Sequence, residues 1–260
     1  MQSLSDLHIH STCSGDGRST VAAVCRRAVE LGLERIAFTE HVDFEPTDPH
    51  YAFYDYLRHR AEVEAAREDF GDRLDVLLGV EVDYQPGYHD RVAQFLAVHD
   101  FDLVLGAVHY IGHQMLESAA FLAQPQRDAY GRYFQAVTQA AQTGLFQVMA
   151  HVDYCKRAGH TAYGAYDPVQ FEDEVCAMLR ALVETGTVLE INTSGLRHDP
   201  QEAYPSPVIV HWYREMGGQR VCLGSDAHDS SQLGYGLEEG VRIAQQAGFT
   251  RWEGGWLLVR

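Results

Sequence analysis

LSDLHIHSTCSGDGRSTVAAVCRRAVELGLERIAFTEH, residues 4–41, reads as one complete strand–helix–strand unit. Leu4–Ile9 is a short apolar run of strand length, and Thr20–Leu31 has helical spacing with Ser19 placed to cap it and Gly32 behind it. Arg35–Thr39 is the next strand. Two strands joined through a helix lie parallel, because only a crossover of that length returns the chain to the same end of the sheet. The alternation continues to the end. Strand candidates follow at Asp75–Val82, Phe101–Val108, Phe146–Ala150, Thr187–Asn192 and Arg220–Gly224. Helix candidates follow at Tyr54–Phe70, Tyr88–His99, Arg127–Gln142, Pro168–Thr185, Pro205–Met216 and Leu237–Ala247. Asp167-Pro168 is a cap with proline at the first helical position, and Gly144, Gly186 and Gly217 sit just past helix ends. Repeated strand-then-helix units call for a parallel α/β fold, either a barrel or a doubly wound sheet. No linker, low-complexity tract or fixed-period repeat divides the chain, so residues 1–260 are expected to form one domain. The longest irregular pieces, Asp43–Phe53, Ile111–Gln126 and Lys156–Tyr166, all follow strands, where the loops of a βα barrel build the active face.

Composition narrows the function. The 260 residues carry 20 Lys+Arg against 37 Asp+Glu, a formal charge of −17. An acidic surface of that size repels long nucleic acids and anionic membranes, while leaving room for a small anionic substrate at a local positive site. Five scattered cysteines with no Cys-x-x-Cys pair indicate neither a disulfide framework nor a thiolate zinc knuckle, and fit a cytoplasmic setting. No targeting or membrane-spanning segment is expected from the apolar runs. The sequence leaves the oligomeric state open.

Fourteen histidines are the unusual count, and their placement is more informative than their number. The first strand ends in His8-x-His10, the second in Glu40-His41, the third in Glu81-x-Asp83 and the fourth in His109. The fifth runs into His151-x-Asp153, the sixth into Asn192 and the seventh into Asp226-x-His228. A lone histidine at a strand end is an ordinary packing residue. Nearly every strand delivering an imidazole or carboxylate to the same end is a ligand set. Residues two apart on a strand face the same side, so His8 and His10 can grip one ion. Imidazole and carboxylate without thiolate suit zinc, manganese or iron in an open catalytic site.

Six segments carry a family resemblance: Asp6-Leu7-His8-Ile9-His10-Ser11, Phe38-Thr39-Glu40-His41, Gly79-Val80-Glu81, Gly106-Ala107-Val108-His109-Tyr110, Ala150-His151-Val152-Asp153 and Gly224-Ser225-Asp226-Ala227-His228. In order and content they resemble the motifs of the PHP (polymerase and histidinol phosphatase) superfamily. The resemblance implies a distorted (β/α)7 TIM-like barrel with a trinuclear metal site at the C-terminal ends of the strands. It implies one ion on His8, His10, Glu81 and Asp226, a second on Glu81, His109 and His151, and a third on His41, His228 and Asp16. Many relatives have a histidine where Asp16 stands; aspartate supplies an oxygen ligand instead. Three divalent ions, set against these carboxylates and one bridging hydroxide, leave about +2, matched to a phosphate monoester dianion. The reaction expected is attack of that hydroxide on phosphorus in line with the leaving alkoxide, with Glu81, Asp226 and His228 as the catalytic ligands.

Within the superfamily, Lys156-Arg157 after His151-Val152-Asp153, and Asn192-Thr193-Ser194-Gly195-Leu196-Arg197, are similar to histidinol-phosphate phosphatases. That similarity implies a small phosphomonoester substrate, L-histidinol phosphate, held by Arg197 and by Lys156 or Arg157. Another small phosphate ester or a nucleotide, cut by a phosphoesterase or nuclease of the same superfamily, is the alternative substrate class, and a metal-binding protein without catalysis is the alternative outside enzymes. Glu40, Asp153, Glu190 and Asn192 are candidates to orient ligand imidazoles. The general acid for the leaving group stays open, with Asp153 one option. The five cysteines read as inert, Cys155 beside the expected phosphate site being the one to test for reactivity, and His50, His59, His89, His99, His198 and His211 read as surface or packing residues.

Overall fold

The computed structural model describes residues 4–259. Seven strands run parallel: β1 (Ser5–Ile9), β2 (Arg35–Val42), β3 (Asp75–Asp83), β4 (Leu103–Ala107), β7 (Val148–Met149), β8 (Val188–Asn192) and β9 (Arg220–Gly224). Between β4 and β7 a small separate hairpin is made by β5 (Tyr110–Ile111) and β6 (Gln114–Met115). The helices are α1 (Val21–Leu31), α2 (Tyr56–Phe70), α3 (His89–Val98), α4 (Ala119–Leu122), α5 (Gln126–Gln142), α6 (Cys155–Tyr163), α7 (Glu172–Thr185), α8 (Pro207–Glu215) and α9 (Leu237–Gln246). A closing hairpin, β10 (Phe249–Glu253) and β11 (Trp256–Val259), adds antiparallel strands to the edge of β9.

The sheet order β1-β2-β3-β4-β7-β8-β9-β11-β10 curls until its first and last parallel strands meet. The Asp226 N–H donates to the His8 carbonyl and the His10 N–H to the Ala227 carbonyl, both at 2.8 Å. That contact is made only beyond the end of β9. Lower down, Arg220 and Val221 pair with β11 instead, so the hairpin holds the two edge strands apart and the barrel is distorted.

Side-chain alternation divides the sheet into two faces. Outward residues such as Val76, Leu78, Val80 and Val82 join the large core beneath the helices. Inward residues form a smaller apolar cluster of Leu7, Ala37, Leu103, Leu105, Ala107, Val148, Ala150, Val188 and Cys222. Continuing up the same inward rows, the residues turn polar: Thr39 and His41 on β2, Glu81 and Asp83 on β3, Glu190 and Asn192 on β8. The β1–β2 register shifts between Asp6 and Ile9. The shift lets Leu7 join the inner cluster while His8 and His10 also face inward, with Ile9 in the outer core. The barrel floor is therefore oily and its mouth is a ring of imidazoles and carboxylates.

The seven strand positions and their flanking helices follow the sequence reading. Five details differ. Ile111–Gln126, expected to be irregular, holds most of the β5–β6 hairpin and helix α4. Thr20, rather than Ser19, caps α1, its side chain accepting from the Ala23 N–H. Pro168–Phe171 is a 3-10 turn that precedes α7. Lys156–Tyr166, expected to be irregular, is mostly the helix α6. The hairpin after α9 was absent from the sequence reading, although Gly254-Gly255, both at positive φ, make the tight turn it needs. Among the described residues no helix is long and apolar enough to cross a membrane.

Candidate active site

Six histidines, Glu81, Asp226 and Asp16 converge at the barrel mouth. Glu81 projects from β3 into the centre and reaches four of them. His151 Nε2 lies 2.8 Å from its Oε1, and His41 Nδ1 2.9 Å, His8 Nε2 3.3 Å and His10 Nε2 3.6 Å from its Oε2. His109 Nε2 is farther, at 4.0 Å. Asp226 Oδ1 sits 3.4 Å from His10 Nε2, and Asp16 Oδ2 sits 3.1 Å from His228 Nε2 and 3.7 Å from His41 Nε2.

Three groups have donor atoms close enough to share an ion: His8, Glu81 and His151; His8, His10 and Asp226; His10, His41 and His228. These overlap the expected ligand sets, but His8 also belongs with Glu81 and His151, and His10 with His41 and His228. His151 and Asp226 stand on backbone at φ 29° and φ 53°, the left-handed region, where a non-glycine residue is held under local strain.

The electrostatics are those of a cation site. His10 stacks on His41 and His228 with ring centroids 4.1 and 4.2 Å apart. Burial and those neighbouring rings push the His10 imidazole down to about 3, so it stays neutral. His109 is pushed down to about 3, chiefly by burial. Burial alone would raise Glu81, yet His8, His41 and the His151 hydrogen bond hold it well below the usual carboxylate range. Asp226 is likewise held well below its usual range against the effect of burial, by His8, His10 and His228. His8 Nε2, His10 Nε2 and Glu81 Oε2 are buried without hydrogen-bond partners. Buried polar atoms normally find a partner. Against the effect of burial, Glu190, Glu81 and Asp226 raise His8 well above the ordinary imidazole range. Imidazole nitrogens and ionised carboxylate oxygens crowded together in this way are donors of the kind a zinc, manganese or iron ion takes in place of a proton.

A cavity of about 420 Å³ opens over this cluster. Arg197, from the turn after β8, lines it. Its Nη2 donates to the Ser225 and Asp226 carbonyls at 2.9 and 3.1 Å, and its Nη1 is buried with no partner. Arg157 also lines the cavity, its Nη1 donating to the Tyr154 hydroxyl at 2.8 Å.

The structure places Lys156 elsewhere. It is fully buried, and its Nζ donates to Glu202 Oε2, the Ala203 carbonyl and Ser206 Oγ, each at 2.8 Å, with Asp153 Oδ2 at 3.0 Å. Successive helical residues point about 100° apart, so the helix that turns Arg157 to the cavity turns Lys156 into the interior. Asp153 is committed to the same network, accepting from the Ser206 N–H at 2.9 Å, and does not line the cavity. Cys155 is fully buried, and burial pushes its thiol well above the ordinary range, the opposite of a reactive cysteine.

Glu40 accepts from the hydroxyls of Ser11 at 2.5 Å and Ser14 at 2.6 Å, and Ser14 Oγ in turn lies 3.2 Å from His10 Nδ1. Glu190 and Asn192 stand behind His8, His151 and Asp226. His59 is a packing residue, buried with its Nδ1 3.0 Å from the Tyr54 hydroxyl.

Sequence reasoning missed several cavity residues. His50 and His198 line the cavity, as do Asp43, Asp48, Tyr110 and Tyr154. Tyr154 packs its ring 4.9 Å from His151 and 5.5 Å from His109, and Tyr110 donates its hydroxyl to Asp48 Oδ2 at 2.9 Å. The available signal was position, since all of these residues lie in segments after strands.

Residues 6–194 match the PHP domain family model. A “probable histidinol-phosphatase” of Deinococcus radiodurans is 33% identical over 263 residues, covering 95% of each chain. The “histidinol-phosphatase” of Lactococcus lactis is 26% identical, with 94% of this chain and 91% of that one covered. Among solved structures, histidinol phosphate phosphatase of Lactococcus lactis, complexed with zinc, L-histidinol and phosphate, superposes with a TM-score of 0.84 at 25% identity, over 95% of this chain and 94% of that chain.

Proposed function

The chain belongs to the PHP domain family, and from that premise we propose that it hydrolyses L-histidinol phosphate to L-histidinol and phosphate at a divalent-metal site. One observation carries the reading: Glu81, His41, His109, His151, Asp226 and His228 share a cavity wall with Arg197, whose Nη1 is buried without a partner. His8, His10, Glu81 and Asp226 would hold one ion, Glu81, His109 and His151 a second, and Asp16, His41 and His228 a third, each zinc, manganese or iron. When bound, the ions supply positive charge that neutralises a phosphate dianion and lowers the pKa of the attacking water.

The rest of the chemistry falls to the chain's own groups. Arg197 is held in place by two backbone carbonyls through Nη2, which leaves Nη1 to donate to a phosphoryl oxygen in a charge-assisted bond. Arg157, aligned by the Tyr154 hydroxyl, offers a second guanidinium at the same mouth. Glu81, Asp226 and His228 line the cavity and are assigned to the reacting phosphoryl group. A cavity of about 420 Å³ suits a small molecule.

The formal charge of −17 provides no basic track for a polynucleotide, and a nuclease is the weaker reading. The test is phosphate release from L-histidinol phosphate, a nucleoside monophosphate and an aryl phosphodiester, assayed side by side. Histidinol phosphate is expected to give the highest kcat/KM; cleavage of the diester with histidinol phosphate left intact overturns the proposal.

A further inference from the structure

We propose that Glu190 is the positioning residue that sets metal affinity at the two ions assigned to His8 and to His151, and that it does so separately from the ion assigned to Asp16, His41 and His228. The inference rests on the ligand assignment above. Glu190 lies on β8, fully buried, on the face of the barrel that points inward. One carboxylate does two jobs. Its Oε1 is 2.7 Å from His8 Nδ1, and its Oε2 accepts from the His151 backbone N–H at 2.8 Å. Asn192 Nδ2 donates to the same Oε2 at 3.1 Å and fixes its direction.

Each contact prepares one ligand. With a carboxylate oxygen as its partner, His8 Nδ1 is the donor, and Nε2, 3.3 Å from Glu81 Oε2, is the nitrogen turned toward the ion site. At His151 the side chain of Glu190 touches the backbone instead. It holds the N–H of a residue at φ 29°, a conformation that a neighbouring structure must enforce. With that backbone fixed, His151 Nε2 stands 2.8 Å from Glu81 Oε1. Glu190 and Glu81 therefore clasp the same two histidines from opposite sides.

The pairing is built into the packing. A Cβ on Gly224 would lie 2.2 Å from Glu190 Oε1 and 2.4 Å from His8 Cβ, so only glycine lets β9 pass behind the pair. The other histidine group has its own support, running from Glu40 through Ser14 Oγ, which accepts from the His41 N–H at 2.9 Å and lies 3.2 Å from His10 Nδ1. Glu190 makes no hydrogen bond to that group.

The test is Glu190→Gln on the metal-loaded protein, read by metal content per chain during a chelator titration and by thermal melting. Glutamine keeps the shape and loses one acceptor. With its oxygen on His8, its NH2 meets the His151 N–H donor to donor; flipped, it faces His8 Nδ1 and drives the proton onto Nε2, removing the ligand lone pair. The expected result is a folded variant in which the ions assigned to His8 and to His151 are lost at roughly 10- to 100-fold lower chelator concentration while the ion on Asp16, His41 and His228 leaves as in wild type. Glu190→Asp, which keeps the charge but shortens the reach to His8 Nδ1 and the His151 N–H, should reproduce that biphasic loss and carries the test if Glu190→Gln does not fold. Wild-type chelator resistance in a folded Glu190→Gln protein, or loss of every ion in one shifted phase, overturns the inference. A wild-type chain that binds no ion removes the ligand assignment itself.

Discussion

Lys156 and Arg157 are adjacent basic residues with opposite fates, and replacing each in turn separates a buried cation that holds the fold from one at the cavity mouth that is proposed to meet substrate. Lys156→Met keeps the aliphatic stem and deletes the ammonium. Asp153, itself fully buried, and Glu202 then lose the cation 3.0 and 2.8 Å away, and Ser206 Oγ and the Ala203 carbonyl lose a donor. Removing one partner of a buried ion pair costs about 3–5 kcal/mol, because the other charge stays buried. At about 2–4 °C per kcal/mol for a chain of this size, the melting temperature should fall by roughly 6–20 °C. Arg157→Ala touches a side chain at the cavity mouth whose ion-pair partner, Glu117 Oε1, is 3.9 Å away. Its melting temperature should move by only a few degrees. The loss of a charge-assisted phosphate bond, about 1.5–3 kcal/mol, should raise KM roughly 10- to 100-fold. The assay is differential scanning calorimetry of both variants, with KM for L-histidinol phosphate measured well below the lower melting point. The reasoning is refuted if Lys156→Met raises KM as much as Arg157→Ala while its melting temperature stays at the wild-type value.

The remaining predictions concern the ligands, the second arginine and the cysteines. Asp226→Asn and His10→Ala should each lower bound metal and reduce turnover by at least about 100-fold; a metal-free variant with wild-type activity would falsify the ligand assignment. Arg197→Ala should raise KM about 10- to 100-fold with the metal content per chain unchanged, and unaltered kinetics would return Arg197 to a purely structural role. Of five free cysteines only Cys176 is not buried, so the native protein should react with a thiol reagent at that position alone; fast labelling of Cys155 would contradict its placement.

Legibility followed the physics of each element. Parallel strands are buried on both faces, so their apolar runs were plain in the sequence, and motifs at their ends could be assigned to the mouth without coordinates. Helix α6 was obscured because Lys156, Arg157, His160 and Thr161 read as a polar stretch, although Lys156 is buried. Its Gly159, a weak helix former, is there because a Cβ would lie 1.9 Å from the Tyr130 hydroxyl. The choice between Lys156 and Arg157 could not be made without knowing that helix and its phase. The β10–β11 hairpin did carry a signal in Gly254-Gly255 between aromatic and β-branched residues, but as an antiparallel pair it lies outside the strand–helix alternation. His50 and His198 reach the cavity through loop paths that no periodicity encodes. The shared use of His8 and His10 between ligand groups depends on a register shift in β1, again invisible in a list of motifs.

The central claim is that the ring of histidines and carboxylates holds divalent ions that hydrolyse a phosphate monoester. The most direct measurement is phosphate release from L-histidinol phosphate by chelator-stripped protein as zinc or manganese is added back, with bound metal quantified at each step. Activity should be absent without metal and rise in step with the ions bound. A metal-free protein that turns over at the reconstituted rate would contradict the account.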